Sequence, residues 1–409
     1  MDRAYFVWLL MVMGPHNVKS VELYLKYKDI TKIYEIINSD KYELTASEKK
    51  RKNKYKLSDA ERVVAWCDKN EIKIITLADN EYPVRLSSTY NPPILLFCLG
   101  DLSFVDDEVT VGIVGTRRPS EYSVNVAAQI CYNLARLGVV TVSGFAVGID
   151  SVAHGCSLRE REKTIAVLGC GIDISYPKEN AKLKKVIAKS GAVITEFLPG
   201  TPPLKENFPE RNRIISGLSC GVLIVEADSK SGSLITAEHA LQQGREVFCV
   251  PPASIFDRRY NGVIKLLRDG AIPVFSHLDI VYTYFDELNE KINPDNPYAD
   301  YSLDLENKLA TNSKEAEIKT EKENKKSKQK QIEKQEDKEN KTKESIELDM
   351  DLFDDIQRKI IEMLLEKECI ADELAKKSGL KIDEVLSALT ELEILGTIRI
   401  SEGQRYKIV

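Results

Sequence analysis

The chain lacks the usual signatures of a bound metal, a membrane anchor or a dinucleotide. Its eight cysteines are scattered with no C-x-x-C pair. Several sit in apolar runs, where a reduced thiol behaves as a small hydrophobe, which argues against zinc and against a disulfide framework. No apolar run is long enough to span a bilayer. The one segment resembling a targeting signal, FVWLLMVM at residues 6–13, is too short and is followed by no small-residue cleavage pattern. It reads as a buried first helix of a chain expected in the cytoplasm, with no membrane partner. No G-x-x-x-x-G-K-[ST] occurs, so a P-loop hydrolase is excluded. Nor does G-x-G-x-x-G follow the first core strand: GTRRPS at 115–120 puts arginines where a pyrophosphate needs bare backbone. NAD is thereby disfavoured, and no cofactor is expected. Positive charge is not in excess either: 58 Lys and Arg against 64 Asp and Glu give a net charge of −6. Nucleic acid would have to be held by local basic patches.

What is present is a regular alternation. From residue 109 to about 275, near-continuous apolar runs (VTVGIV, VVTV, TIAVL, AVITE, GVLIVE, EVFCV) are separated by helical stretches at 123–137, 150–160, 179–189, 211–219 and 234–243. Strands that read apolar throughout are buried on both faces. The fold class is therefore α/β: a Rossmann-like, doubly wound, mostly parallel sheet. Around it we place a small helical (SAM/HhH-like) domain at 1–75, the core at 76–295, a charged flexible linker at 296–349 and a winged-helix domain at 350–409. In the first, apolar positions recur at helical spacing through Phe6, Leu9, Leu10 and Met13, then Val21, Leu23 and Leu25, then Ile33, Ile36 and Ile37, with Gly14-Pro15 breaking the first two helices apart. MGPHNVKS has one glycine, where a DNA-gripping hairpin wants more, so packing or docking is favoured. A basic run, KKRKNKYK at 49–56, follows it; a solvated face is its ordinary meaning and weak phosphate contact the other. Residues 79–101, punctuated by proline, read as a loop entering an edge strand of the core. The tail reads as three helices and an alternating hairpin. Its third helix carries Asp383, Glu384, Glu391 and Glu393, which oppose a DNA groove and favour protein docking.

Ligands of doubly wound sheets bind beyond the carboxyl ends of the strands, and those ends here are rich in phosphate-binding groups. Residues 139–155, VVTVSGFAVGIDSVAHG, run strand, small-residue loop, helix start. That order aims free N–H groups at one spot and makes Ser143 and Gly144 candidates. Arg117 and Arg118 offer planar charged forks. Gly171, Tyr176 and Lys178 combine close approach, a stacking ring and a cation. Arg211 and Arg213 read as a pair at a helix start, where they oppose the dipole. Lys230, Ser231, Gly232 and Ser233 open a helix and form the strongest anion signal of the chain. So many sites along one sheet edge exceed what a mononucleotide needs. They suit a run of phosphates, with Tyr176, Phe145 or Phe208 beside the bases.

Together SGFAVGIDSVAH, AVLGCGIDISYPKEN, NFPERNRIISGLS, EADSKSGSLITAEHA and GREVFCVP, with YPVRLSSTYNPPILLFCLGD ahead of them, resemble the DNA-processing protein A (DprA/Smf) family over about residues 77–275. The resemblance implies a non-catalytic protein that binds single-stranded DNA cooperatively, protects incoming DNA in natural transformation and hands it to a RecA-type recombinase, as a homodimer. It implies DNA contact by Arg117 and the 171–178 loop. Two departures stand out: Pro251-Pro252 where the family has Pro-Gly, and Ile264 where it has asparagine. Two alternatives stay open. One is a nucleotide-processing hydrolase of the same superfamily, which would need a carboxylate where Thr236 stands. The other is a nucleotide-sensing regulator that uses the same pocket.

Overall fold

A computed structural model describes residues 2–39, 41–160 and 163–284. Near the C-terminus it describes 355–367, 369–378, 380, 385, 388, 389, 392, 398–401 and 405–408. The linker assigned to 296–349 and the acidic positions 383, 384, 391 and 393 lie outside the described residues. The chain sorts into two compact units, Met1–Asn307 and Lys308–Val409.

The first unit opens with five helices: α1 Asp2–Met13, α2 Val18–Tyr27, α3 Ile30–Asn38, α4 Ala46–Lys54 and α5 Leu57–Lys69. α1 is buried along most of its length, as its sequence predicts, whereas Leu25, read as apolar core, stands exposed on α2. The order then runs β1 Ile72–Thr76, α6 Val84–Ser87, β2 Leu95–Gly100, β3 Thr110–Val114, α7 Glu121–Arg136, β4 Val140–Ser143, α8 Ile149–Glu160 and β5 Thr164–Val167. It continues with α9 Ala181–Ser190, β6 Ala192–Thr195, α10 Asn207–Leu218, β7 Gly221–Ile224, α11 Ser233–Gln242, β8 Glu246–Cys249, α12 Asn261–Arg268, β9 Ile272–Pro273 and α13 His277–Thr283.

The nine strands described in this unit form one sheet, in the order β1-β2-β6-β5-β4-β3-β7-β8-β9. From β6 through β9 the pairing is parallel; β2 runs antiparallel to β6 and β1 antiparallel to β2. The expected mostly parallel, doubly wound sheet is therefore present, with one correction: β2 is not an edge strand. β1 covers it, and β1 spans the boundary drawn at 75/76. Its sequence, IKIIT, is too short and too close to α5 to separate from a helix end by periodicity alone.

Alternate residues of each strand feed two cores. Val222 and Ile224 of β7 pack with Ile214, Ile215 and Ala237 of α10 and α11. Leu223 and Val225 pack with Ile130, Leu134 and Ala153 of α7 and α8. The N-terminal helices have no core of their own. Trp8, Leu9 and Ile33 share one cluster with Ile74, Phe97, Leu168 and Val193 of the sheet. The cysteines behave as small hydrophobes: burial pushes the Cys67, Cys98 and Cys249 thiols up to about 12.

A buried charge cluster joins the helices to the sheet. Glu196, just after β6, is paired with Arg213 of α10 at 2.6 Å and with His16 Nδ1, from the α1–α2 loop, at 2.9 Å. Burial opposes its charge, but Arg213 and His16 outweigh burial and hold the carboxyl below its ordinary value. Arg213, read as a helix-start ligand for phosphate, is thus spent inside the protein. The helix also begins earlier than expected, at Asn207, so both arginines lie beyond its first turn.

In the second unit α14 Asp355–Glu366 and α15 Ala371–Ser378 precede an antiparallel hairpin of β10 Ile398–Ser401 and β11 Arg405–Ile408. Ile360, Leu364, Leu374, Leu389 and Ile398 are buried together, as a winged-helix arrangement requires. No helix among the described residues is long and apolar enough to cross a membrane.

The Glu196 cluster makes a quantitative prediction. Glu196→Ala leaves Arg213 buried without its carboxylate and should cost about 3–5 kcal/mol of unfolding free energy. Replacing both partners with Glu196→Leu and Arg213→Met should cost much less. Urea denaturation of the two variants checks this, and equal losses would contradict it.

Candidate nucleic-acid interface

The order of strands fixes where a ligand can sit. The chain lays down β3, β4, β5 and β6 in one direction, then returns past β3 to add β7, β8 and β9. Loops at the carboxyl ends of β3 and β7 therefore part in opposite directions and leave a crevice. A groove of about 720 Å³ occupies it. Of the sequence-predicted residues it is lined by Arg117, Arg118, Tyr176, Arg211, Lys230, Ser231, Gly232 and Ser233.

Each wall has a local cause. After β3 the chain turns through Thr116, whose hydroxyl accepts from Arg118 N at 3.2 Å. It then enters α7 at Ser120, which caps that helix through Ser123 N. Ser120 is fixed from across the groove: its N–H and hydroxyl both donate to Glu226 Oε2, at 2.9 and 2.7 Å. Arg117 and Arg118, between these anchors, stay exposed. On the opposite wall the loop after β7 folds back through Lys230 N and Asp228 Oδ1 at 2.7 Å. α11 then begins with no side-chain cap at Gly232. Its first N–H groups pair within the turn, Leu234 N with Ser231 O and Ile235 N with Gly232 O, both at 3.2 Å, so the dipole of the helix start and Lys230 carry the attraction for an anion. Nearby, the Thr236 hydroxyl is buried with no partner. Phe208 forms the shelf between the walls. The Arg117 guanidinium lies 5.5 Å from its ring centre, that of Arg211 5.8 Å, and the Tyr176 ring 5.7 Å. This is an aromatic and cationic surface on which a base can stack.

Two basic side chains of the groove escaped the sequence reading: Lys205, before α10, and Arg259, after β8. Arg259 is paired with Asp257 at 2.6 Å and follows a strand end, a placement that could have flagged it. The Pro251-Pro252 departure precedes this loop. The adjoining start of α12 still rests on the β7–α11 loop, with Gly262 N donating to Ala227 O at 2.9 Å.

The structure does not bring the other predicted residues into the groove. Ser143 is fully buried and donates to Ile113 O at 2.6 Å. Gly144 is buried between charges: a Cβ there would come within 2.7 Å of both Arg211 Nη2 and Asp150 Oδ2. The loop N–H groups offered for phosphate are partly taken from inside, Ala146 N by Asp150 Oδ2 at 3.2 Å and Ile149 N by Thr116 O at 3.3 Å. Gly148, at φ +87°, lies so close to Thr116 O that a Cβ would come within 2.5 Å, so this loop closes on the one after β3. Phe145, suggested as a stacking ring, is 1% exposed and packs near His154. Gly171 donates to Thr201 O at 2.9 Å, and Lys178 is exposed outside the groove. Arg213 faces Glu196, as described.

Arg211 forms the floor. It is buried, donates to Gly144 O and Val167 O, and lies against Asp150. Burial raises Asp150 to about 6, although Arg211 and Arg117 pull it down.

A family model described as "DNA recombination-mediator protein A" matches residues 73–285, and one for the "DprA winged helix domain" matches 344–404. The "DNA processing protein DprA" of Bacillus subtilis is 44% identical over 230 residues, covering 56% of this chain and 76% of that one. "Protein Smf" of Synechocystis sp. is 34% identical over 346 residues, covering 82% and 80%. The X-ray structure of DNA processing protein A from Streptococcus pneumoniae aligns at 33% identity with a TM-score of 0.58, over 68% of this chain and 97% of that one.

The floor is testable by pH. With Asp150 raised to about 6, the native state holds this proton more tightly than the unfolded chain, where an Asp titrates near about 4. Its favourable contribution is complete below about pH 4 and is lost as pH rises through about 6. Relative to Asp150→Asn, the wild type should lose about 3 kcal/mol of unfolding free energy between pH 4 and 7. Paired denaturant titrations measure the difference. A rise with pH instead would mean that the attraction of Arg211 outweighs burial.

Proposed function

Because the chain belongs to the DNA-processing protein A (DprA/Smf) family, we propose that the groove between the β3 and β7 loops holds single-stranded DNA. One observation carries this: cations on both walls flank the Phe208 and Tyr176 rings, a pairing of phosphate-binding and stacking groups that suits a strand with unpaired bases. Phosphates run past Arg117, Arg118 and Lys230 toward the uncapped start of α11, while bases stack on the shelf. Contact with backbone and ring faces reads no sequence, as suits a protein that must accept any strand. Beyond this site we extend the reading as the family suggests: a homodimer, without catalytic activity of its own, that protects the strand and passes it to a RecA-type recombinase. Thr236 supports the non-catalytic part, since its hydroxyl cannot serve as a general acid or base near neutral pH.

Fluorescence anisotropy with labelled oligonucleotides of increasing length, across a salt series, tests the reading. Affinity should rise with length and fall with salt. Arg117→Ala and Lys230→Ala should weaken binding evenly across sequences, each lowering the slope of log K against log salt by about 0.7. Tyr176→Ala should cost roughly 1–3 kcal/mol with little change in that slope. If mononucleotides compete as well as long strands, the groove is a nucleotide site and a hydrolase or sensor replaces the strand binder.

A further inference from the structure

The groove leaves one basic element unused. Six of the eight residues from 49 to 56 are Lys or Arg, and most of them fall on α4. The helix divides them by role. Its inner face carries Glu48 and Arg51. Glu48 accepts from Thr45 N at 2.7 Å, closing a capping box, and from Asn17 Nδ2 at 3.1 Å. Arg51 donates to the last carbonyls of α1, Val12 O at 2.7 Å and Met13 O at 2.8 Å. The outer face carries Lys49, Lys50, Asn53 and Lys54, all exposed and at the spacing that puts them side by side. Among the described residues none of these three lysines has an ion-pair partner. Lys50 and Lys54 are four apart, an arrangement that destabilises a helix unless an anion is supplied. In a chain of net charge −6, such a concentration without internal counter-charge is the opposite of the surface average.

Its attachment gives it a place. Arg51 and Glu48 bind the loop that closes α1. Between these contacts, three residues past Met13 and one before Asn17, His16 is held by Glu196, which is paired with Arg213 of α10. The same helix carries Phe208 and Arg211 into the groove. Through buried polar contacts, therefore, α4 is fixed to the helix that forms the groove floor.

We propose that the outer face of α4 is a second contact surface for the phosphate backbone of a strand already seated in the groove. This rests on the reading of the groove as a single-strand site. Lysine is suited to the task. A point charge on a flexible stem follows a disordered backbone without fixing its geometry, whereas the groove uses mainly arginine forks. The strand leaving the groove then gains affinity with length inside a single protein chain.

The test uses the full-length chain with Lys49, Lys50 and Lys54 each changed to Gln together, and a second variant with each changed to Glu. All three side chains are exposed and outside the groove, so folding should be retained, as circular dichroism would show. Anisotropy is read on a strand of about six nucleotides, short enough for one groove, and on one of about thirty. The short strand should bind as to wild type. The long strand should lose about tenfold affinity in the Gln variant and more in the Glu variant, and its salt slope should fall by about 2, near 0.7 for each lost phosphate contact. An unchanged long-strand affinity overturns the proposal and leaves an acidic protein as the partner of α4. An equal loss on both strands also overturns it, because that is a field effect of net charge. A wild-type chain that binds neither strand, or a short strand indifferent to Arg117→Ala, overturns the groove reading itself and is distinguished by that control.

Discussion

The reversal of strand order at β3 is the constraint on which the rest depends. Parallel neighbours need crossover connections, so each strand end is followed by a loop and a helix start on the same side of the sheet. Where the winding continues in one direction, successive loops cover one another. Between β3 and β7 it does not, and the loops carrying Arg117 and Lys230 stand apart with the start of α10 beneath them. The two antiparallel strands added beyond β6 leave this point untouched. They extend the sheet toward the N-terminal helices and give those helices a surface on which to bury α1.

Charge inside the molecule is handled in two ways, and the contrast explains α10. Arg211 and Arg213 are two residues apart, so on a helix they point to nearly opposite sides. Arg213 turns away from the ligand side and meets Glu196, whose two oxygens answer Arg213 and His16. The opposed charges make burial tolerable, although Arg213 Nε and Nη1 are buried with no hydrogen-bond partner. Arg211 turns toward the groove and is met by backbone carbonyls and by Asp150. A buried carboxylate beside a phosphate path weakens the field felt by a ligand. It also fills the loop before α8 that would otherwise be a second anion seat. The effect is to leave the dipole of the α11 start and the cationic shelf at Phe208 as the neighbouring attractions.

Much of this was legible in the sequence, for physical reasons. Strands covered on both faces must be apolar throughout, so β3 to β8 announce themselves. β1 and the two-residue β9 are too short to show a period. The loops carrying Arg117, Tyr176 and Lys230, which line one groove, were singled out because strand ends in such sheets are where ligands bind. The failures share a cause: one-dimensional spacing does not say which way a side chain turns. Arg211 and Arg213 look alike until the helix start is known to be Asn207. Phe145 looks available until its left-handed backbone, φ 59°, and the packing around His154 put it inside. Lys205 carries no pattern, and Arg259 only its place after a strand end. They reach the groove only because α10 and α12 dock where they do.

An acidic protein with a basic groove is well suited to a polyanion that must be held in one path and later released. The chain as a whole carries a net charge of −6, so local cations, not the whole-molecule field, would attract a strand. At physiological salt charges are screened over roughly 8 Å. The groove therefore acts on phosphates in or beside it and hardly at all on those farther away. Affinity then depends on how many phosphates are in register with fixed cations, and it falls steeply if a few are displaced. On the proposed reading, stacking on Phe208 and Tyr176 adds a part that salt does not remove. On that reading, a strand held in this way resists dissociation as a whole but gives way segment by segment.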